Sequence, residues 1–367
     1  LARIYYSLKL LELNEESLRD RLADIESSIS EIQSNISKMR NEISNLRKCL
    51  EDGVKECVDN RDNINEQIQS YEKSISSLNR QLISLYDNRD SLEAEIINLE
   101  NQIAQNPLQR KLAEEGVRYI ITATFAGLEQ MQEGIVMQEK QLKQKQAELN
   151  KQKRLHQLGR LAKHEVTKAE REILSLQEEI VELKEKYDIQ LKNLLLDLNI
   201  DPKNKEITLQ PLNMPELKKV TQTIPTEKLI ADNIEMQLLQ KELETLEKQR
   251  NMTSGNLQEQ YKVQIDLKNL EIKEKRMQLE KKINDLYLQA KQAYDALKKA
   301  ERENDYAADD YHKLKKQYEL GLISKHDYEQ AAIMLDAAEM EYKNAQIQYY
   351  LITKQLEALE RGFVAMQ

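Results

Sequence analysis

The sequence predicts an all-α protein of long antiparallel coiled-coil hairpins arranged in two repeats, and three observations lead there. Apolar residues step by alternating three and four over most of the 367 residues. Breakers and large aromatics are scarce: 8 Gly, 5 Pro, 2 Phe and no Trp are too few for a compact globule of this length. One stop-and-start signal also occurs twice, because Leu158-Gly159-Arg160-Leu161-Ala162-Lys163-His164-Glu165 aligns without a gap onto Leu320-Gly321-Leu322-Ile323-Ser324-Lys325-His326-Asp327. The register continues through Ala169 and Ala331, Tyr187 and Tyr349, and Leu194 and Leu356. This is an internal duplication of a helical hairpin; the competing explanation is chance likeness between two Glu/Lys-rich helices.

The first element is a heptad from Leu18 through Ile25, Ile32, Met39 and Leu46 to Leu50, with Ser, Asn, Glu, Lys and Arg between. A second run starts at Ile64 and passes Tyr71, Leu78, Leu85, Leu92 and Leu99 to Ile103. Joining them in one helix requires a phase slip near Cys57, and Asp52-Gly53 is a turn signal. An antiparallel hairpin turning at residues 51–60 is favoured over a continuous helix with a stutter. On one helix Cys49 and Cys57 would stand ~12 Å apart along the axis. If the chain reverses they could form a disulfide; the alternative is two thiols buried in the seams. Their spacing matches no zinc signature.

Asn106-Pro107 is expected to break or sharply kink the chain, since proline lacks the helical donor and pushes its predecessor out of the α region. Residues 109–158 are helical again. Val117, Tyr119, Ile120, Ile121 and Phe125 could pass for a strand, but the surrounding periodicity favours a helix, and Gly116, Gly127 and Gly134 would let a neighbouring helix approach. After the first tip a helix over 163–198 carries Ile173, Leu176, Ile180, Leu183, Tyr187, Leu191 and Leu194 on one face. Residues 199–225 hold Pro202, Pro211, Pro215 and Pro225 around Ile207-Thr208-Leu209, and read as a connector with one short strand. Thr226 is expected to cap a helix running to about Arg250, broken at 251–256. The longest helix is expected over about 257–319 and the last from Ser324 to about Arg361. Alanines such as Ala290, Ala300, Ala331 and Ala338 widen the apolar faces of these last two helices, either for neighbours on both sides or simply as good helix formers. The division expected along the chain is 1–106, 107–200, the connector 201–225, and 226–367.

At the tips Gly159 and Gly321 suit the left-handed C′ position, and Ser324 with Asp327 is the acidic variant of a capping box. Leu322 and Ile323 are apolar where a plain reversal would be polar; Leu161, beside Arg160, holds the equivalent place in the first repeat. Leu158, Gly159, Arg160, Leu161, Leu320, Gly321, Leu322 and Ile323 are therefore candidate docking residues, and the opposing reading is a staple packed under its own turn.

Charge and composition exclude several classes. A formal net charge of −9 without a basic stripe argues against nucleic acid. Nothing approaches 18 consecutive apolar residues, so no membrane-spanning helix is expected. The sequence starts at Leu1 without Met and shows no signal peptide, which suits a processed or trimmed chain. No nucleophile–base arrangement and no Gly-rich phosphate loop appears, so neither an enzyme nor a cofactor is expected.

Residues 318–331 (Tyr318-Glu319-Leu320-Gly321-Leu322-Ile323-Ser324-Lys325-His326-Asp327-Tyr328-Glu329-Gln330-Ala331), followed by Ala338-Glu339, Tyr342, Ala345 and Leu356, resemble the tip and last helix of the TolC family of efflux outer-membrane channels. Leu158-Gly159 to Leu196 echoes the motif, and Leu209-x-Pro211-Leu212 leading to Leu229-Ile230-x-x-Asn233 is similar to that family's link between repeats. The resemblance covers about 109–362. It implies a homotrimer whose duplicated hairpins form a twelve-helix α-barrel in the extracytoplasmic cell envelope, periplasmic or associated with the outer membrane. Its tips would meet a periplasmic adaptor protein of the membrane-fusion type, and an inner-membrane pump or ABC transporter would drive export. The family inserts β-strand pairs between the helices of each repeat. Here 251–256 is too short for one and no alternating pattern lies near residue 107, so a conduit without that barrel is expected. Residues 1–106 have no counterpart in the family. The alternative functions are a structural coiled-coil rod or spacer of the cell envelope and an adaptor-type hairpin, the latter lacking the β-rich domains it would need.

Overall fold

The computed structural model describes residues 2–202, 209–212, 214, 217–253 and 255–365. Among them every regular element is a helix: α1 (Ala2–Glu51), α2 (Lys55–Asp59), α3 (Arg61–Gln157), α4 (Lys163–Asp197), α5 (Thr226–Ala231), α6 (Ile234–Met252), α7 (Gly255–Glu319) and α8 (Lys325–Glu360). They fall into two compact units, Leu1–Ala113 with Ile234–Arg276, and Glu114–Asn233 with Met277–Gln367.

The first unit is a set of seams. The chain does reverse at residues 51–60, and α1 lies antiparallel on α3. Ile29, Ile36 and Leu82 form one cluster of the seam; Ile43, Ile64 and Ile68 form the next. Gln33 Nε2 donates to Tyr86 Oη at 2.8 Å, and Arg47 pairs with Glu72 at 2.7 Å. Cys57 packs on the second cluster and is bonded to Cys49, with 6.1 Å between their Cα atoms. Farther along α3, Gln249 Nε2 of α6 donates to Asn98 Oδ1 at 2.7 Å. α6 and α7 are tied by Lys268–Glu242 at 2.8 Å and by Lys275–Glu235.

In the second unit α3 lies between α4 and α8. Lys184–Glu139 at 2.6 Å and Lys145–Glu172 at 2.9 Å join it to α4. Lys140–Asp336 at 2.6 Å and Lys343–Glu133 at 2.7 Å join it to α8. α8 also packs on α7, where the ring centroids of Tyr294 and Tyr349 are 5.3 Å apart. The alanine-rich α8 thus meets neighbours on both sides, with Ala331 and Ala358 buried. The connector is pinned by Tyr349, whose Oη donates to Lys218 O at 2.7 Å and accepts from Val220 N at 2.9 Å.

Four sequence expectations need correction. Pro107 does not break the chain, because α3 passes through it. The lost donor costs about 3 kcal/mol, and tertiary packing offsets it: Gln105 and Asn106 are buried, and Asn106 Nδ2 donates to Ile4 O of α1 at 3.3 Å. As a result α3, with 97 residues, is the longest described helix, ahead of the 65 of α7. Thr226 is the first residue of α5 rather than its cap, the N-cap being Pro225. The expected helix to Arg250 is also divided, because Asn233 turns its side chain inward and donates from Nδ2 to Gly362 O at 3.1 Å. Of the three glycines expected to admit a neighbour, only Gly116 meets one: a Cβ there would lie 3.7 Å from Phe363, while Gly127 and Gly134 face nothing within 4 Å. Of the proposed strand at 207–209, Ile207 and Thr208 lie outside the described residues, as do Pro215 and Ser254.

Candidate functional site: the two hairpin tips

Both candidate tips lie at one end of the second unit, where Lys151 near the end of α3 and Glu329 near the start of α8 approach to 4.0 Å. Both close by the same backbone device. Gly159 and Gly321 each have φ +71°, the left-handed conformation a Cβ disfavours. At the first tip Gly159 N donates to His156 O and Arg160 N to Leu155 O, each at 2.8 Å. At the second, Gly321 N donates to Tyr318 O at 2.9 Å and Leu322 N to Gln317 O at 2.8 Å. These paired 5→2 and 6→1 bonds are Schellman closures, which satisfy carbonyls the helix end would leave unpaired.

The next helices start differently. Ser324 Oγ accepts from Asp327 N at 3.2 Å and donates to Asp327 Oδ2 at 2.7 Å, while Ser324 N donates to the same carboxylate oxygen at 3.3 Å. This is a complete capping box, and the Ser324 hydroxyl and amide hold the Asp327 carboxyl below its ordinary value. Ala162 occupies the matching N-cap with extended backbone and no side-chain bond. The first turn is braced instead by His156, whose Nδ1 donates to Leu161 O at 2.8 Å; the ring nitrogen is the donor because a carbonyl only accepts.

The apolar tip residues divide in the same way. Leu161 packs on the cluster of Leu149, Val166 and Ile173, a staple under its own turn. Ile323 is half-buried. Leu158, Leu320 and Leu322 are 68%, 74% and 70% exposed, and Arg160 is exposed as well. Each tip therefore presents leucine to solvent at a place where turn chemistry does not require it. Leu161 is not part of that surface.

The sequence reading missed a column of tyrosines behind the second tip. Tyr328 of α8 stacks on Tyr318, with centroids 5.0 Å apart and planes 5° from parallel, and on Tyr311 at 5.6 Å. Tyr311 and Tyr328 share a hydroxyl–hydroxyl bond of 2.8 Å, which pushes the Tyr328 phenol up. The signal was present, since Tyr311 and Tyr318 are seven residues apart on one face of α7. Among the described residues no cluster of His, Cys, Asp or Glu could hold a metal ion, and no helix is long and apolar enough to cross a membrane.

No family model matches the chain, and no curated protein matches it in sequence. Solved structures do match in fold. The outer-membrane protein VceC of Vibrio cholerae aligns with a TM-score of 0.53 at 14% identity, over 74% of this chain and 76% of its own. The Campylobacter jejuni CmeC outer-membrane channel gives 0.53 at 15%, over 76% and 69%. The outer-membrane channel OprN gives 0.51 at 9%, over 74% and 72%. The fold is thus that of TolC-like outer-membrane channels, with long helical hairpins and, among the described residues, no strand.

Proposed function

We propose that this chain is a TolC-like helical conduit component of an export or efflux system, that it works as a homotrimer, and that its tips dock to an adaptor protein of a membrane transporter. The observation that carries this reading is the duplicated hairpin, closed by the same backbone device at both tips, in a fold shared with outer-membrane channels. Two further features support it. α4 leaves Leu174, Val181, Ile189 and Leu196 exposed along its length, a face a neighbouring copy would cover. The Cys49–Cys57 bond suits an oxidising compartment, hence the extracytoplasmic cell envelope. In this reading the chain is not an enzyme, and its long α1–α3 and shorter α6–α7 hairpins take the place that strand pairs hold in each repeat of the TolC family. Imaging the purified full chain tests the core claim: a hollow cylinder of three chains is expected, and a solid rod of one or two chains would favour the structural-spacer alternative. Docking is tested by pull-down of the adaptor with Leu320→Ser/Leu322→Ser, which should lose binding while keeping the oligomer.

A further inference from the structure

We infer that copies join through α7 of one chain and α4 of the next, in the register of the chain's own α3–α8 seam, and that Lys291 and Glu185 pair across that junction. The inference rests on the oligomeric part of the function proposed above and deepens it by naming what covers α4. In the second unit the tip alignment carries α3 onto α7 and α4 onto α8. It already reproduces one seam. Tyr294 and Tyr349, which meet between α7 and α8, correspond to Gln132 and Tyr187, which line one cavity between α3 and α4. The α3–α8 seam, held by Lys140–Asp336 and Lys343–Glu133, corresponds in the same way to a seam of α7 with α4. In the row α4, α3, α8, α7 those two helices stand at the ends, so this seam needs a second copy.

The corresponding faces are bare and complementary. Tyr119 and Glu133 of α3 bond to α8, and Ala126, one heptad from each, is fully buried. Its counterpart on α7, Leu288, is 53% exposed. Ala358 of α8 is buried, and its counterpart on α4, Leu196, is 62% exposed. Leu174 and Val181, also exposed, are the counterparts of Asp336 and Lys343 themselves. Carried over in antiparallel register, Lys140–Asp336 falls on Arg302 and Leu174, and Glu133–Lys343 on Asp295 and Val181, so those two ion pairs are not repeated. The charges pair at the positions between. Lys298 comes opposite Glu178 and Lys291 opposite Glu185, where the chain's own seam has Val136 with Met340 and Glu129 with Ile347. Lys298 bonds Glu301 one turn on; Lys291, Glu178 and Glu185 are exposed. Next, Leu288 comes opposite Ile189, another exposed residue of α4. The α7 stripe carries Lys281, Lys291, Lys298 and Arg302 against one acid, Asp295, and the α4 stripe Glu178, Glu185 and Asp188 against one base, Lys192. A basic stripe facing an acidic one fixes partner and register, and repetition of this head-to-tail contact closes a ring.

The test is a charge exchange in the full-length chain, with oligomer mass followed against concentration at low salt. Lys291→Glu and Glu185→Lys each set like charges face to face, and each should raise the concentration needed for assembly about tenfold or more. The double variant Lys291→Glu/Glu185→Lys should restore assembly, and the exchange of Lys298 with Glu178 should behave in the same way. All four positions lie on the helix surface, so the melting temperature of the separated chains should not move. Single variants that assemble like the native chain, or a double variant no better than the singles, would overturn the seam and leave the proposed function standing. A native chain that stays monomeric at every concentration would overturn both.

Discussion

The two tips share a backbone and differ in chemistry. Gly159 and Gly321 adopt one conformation with one pair of hydrogen bonds. The first tip is then held from beneath, by Leu161 in its cluster and His156 on the turn carbonyl. The second is held at its helix start, by Ser324 and Asp327, and from the side by the tyrosine column. Duplication preserved the reversal while each copy acquired a separate brace. This difference leaves the second tip with two exposed leucines, Leu320 and Leu322, where the first shows only Leu158.

The largest effect should come from the shared device. Gly159→Val or Gly321→Val places a β-branched residue at φ +71° and should cost about 2–3 kcal/mol of local stability, equally at both tips, read as faster amide exchange around the turn. An unequal response would show that the reversals are not equivalent. Next, Leu161→Ser removes a packed side chain and should cost about 1–2 kcal/mol, whereas Leu322→Ser should fall within about 0.5 kcal/mol. Denaturant melts of the pair compare staple with surface directly.

The caps come third. Ser324→Ala should loosen the start of α8 by about 1 kcal/mol. Ala162→Ser should do the reverse at α4, because Glu165 already stands three residues on and the backbone at 162 is extended as a cap requires. The smallest effect is one of pH. Asp327 is held below its ordinary value, chiefly by the Ser324 hydroxyl. Its contribution is therefore complete above the unfolded carboxyl value of about 3.9 and is lost as pH falls through the lower folded one. Amide exchange at Asp327 should rise on the acid side of that value in the native protein, and Ser324→Ala should weaken the dependence.

What the sequence made legible was local. The tips could be read because a left-handed glycine and a capping serine are short-range requirements. The hairpin at 51–60 could be read because a heptad slip needs only a window of neighbours. Long-range effects were not legible. The helix runs through Pro107 because α1 supplies packing and a carbonyl a hundred residues away in sequence. The break at Asn233 is fixed by the carbonyl of Gly362, at the far end of the chain. Thr226 looked like a cap because Thr is a capping residue type, yet Pro225 already supplies the extended conformation and Thr226 Oγ1 instead accepts from Gln222 Nε2 at 3.0 Å. Of the apolar tip residues, exposure divided Leu161 from Leu322 only once the cluster beneath Leu161 was in place.

The bond between Cys49 and Cys57 spans a sequence separation of only 8, so its effect on the unfolded chain is modest, about 2–3 kcal/mol. Its position matters more. Two antiparallel helices unzip from whichever end is free to fray, and α1 and α3 meet one end of their seam at this bond. With that end riveted, peeling has to begin at the opposite end, near Ile4 and Asn106. The rivet thus sets a direction for mechanical failure of the hairpin, whose seam opens toward the bonded end and not away from it.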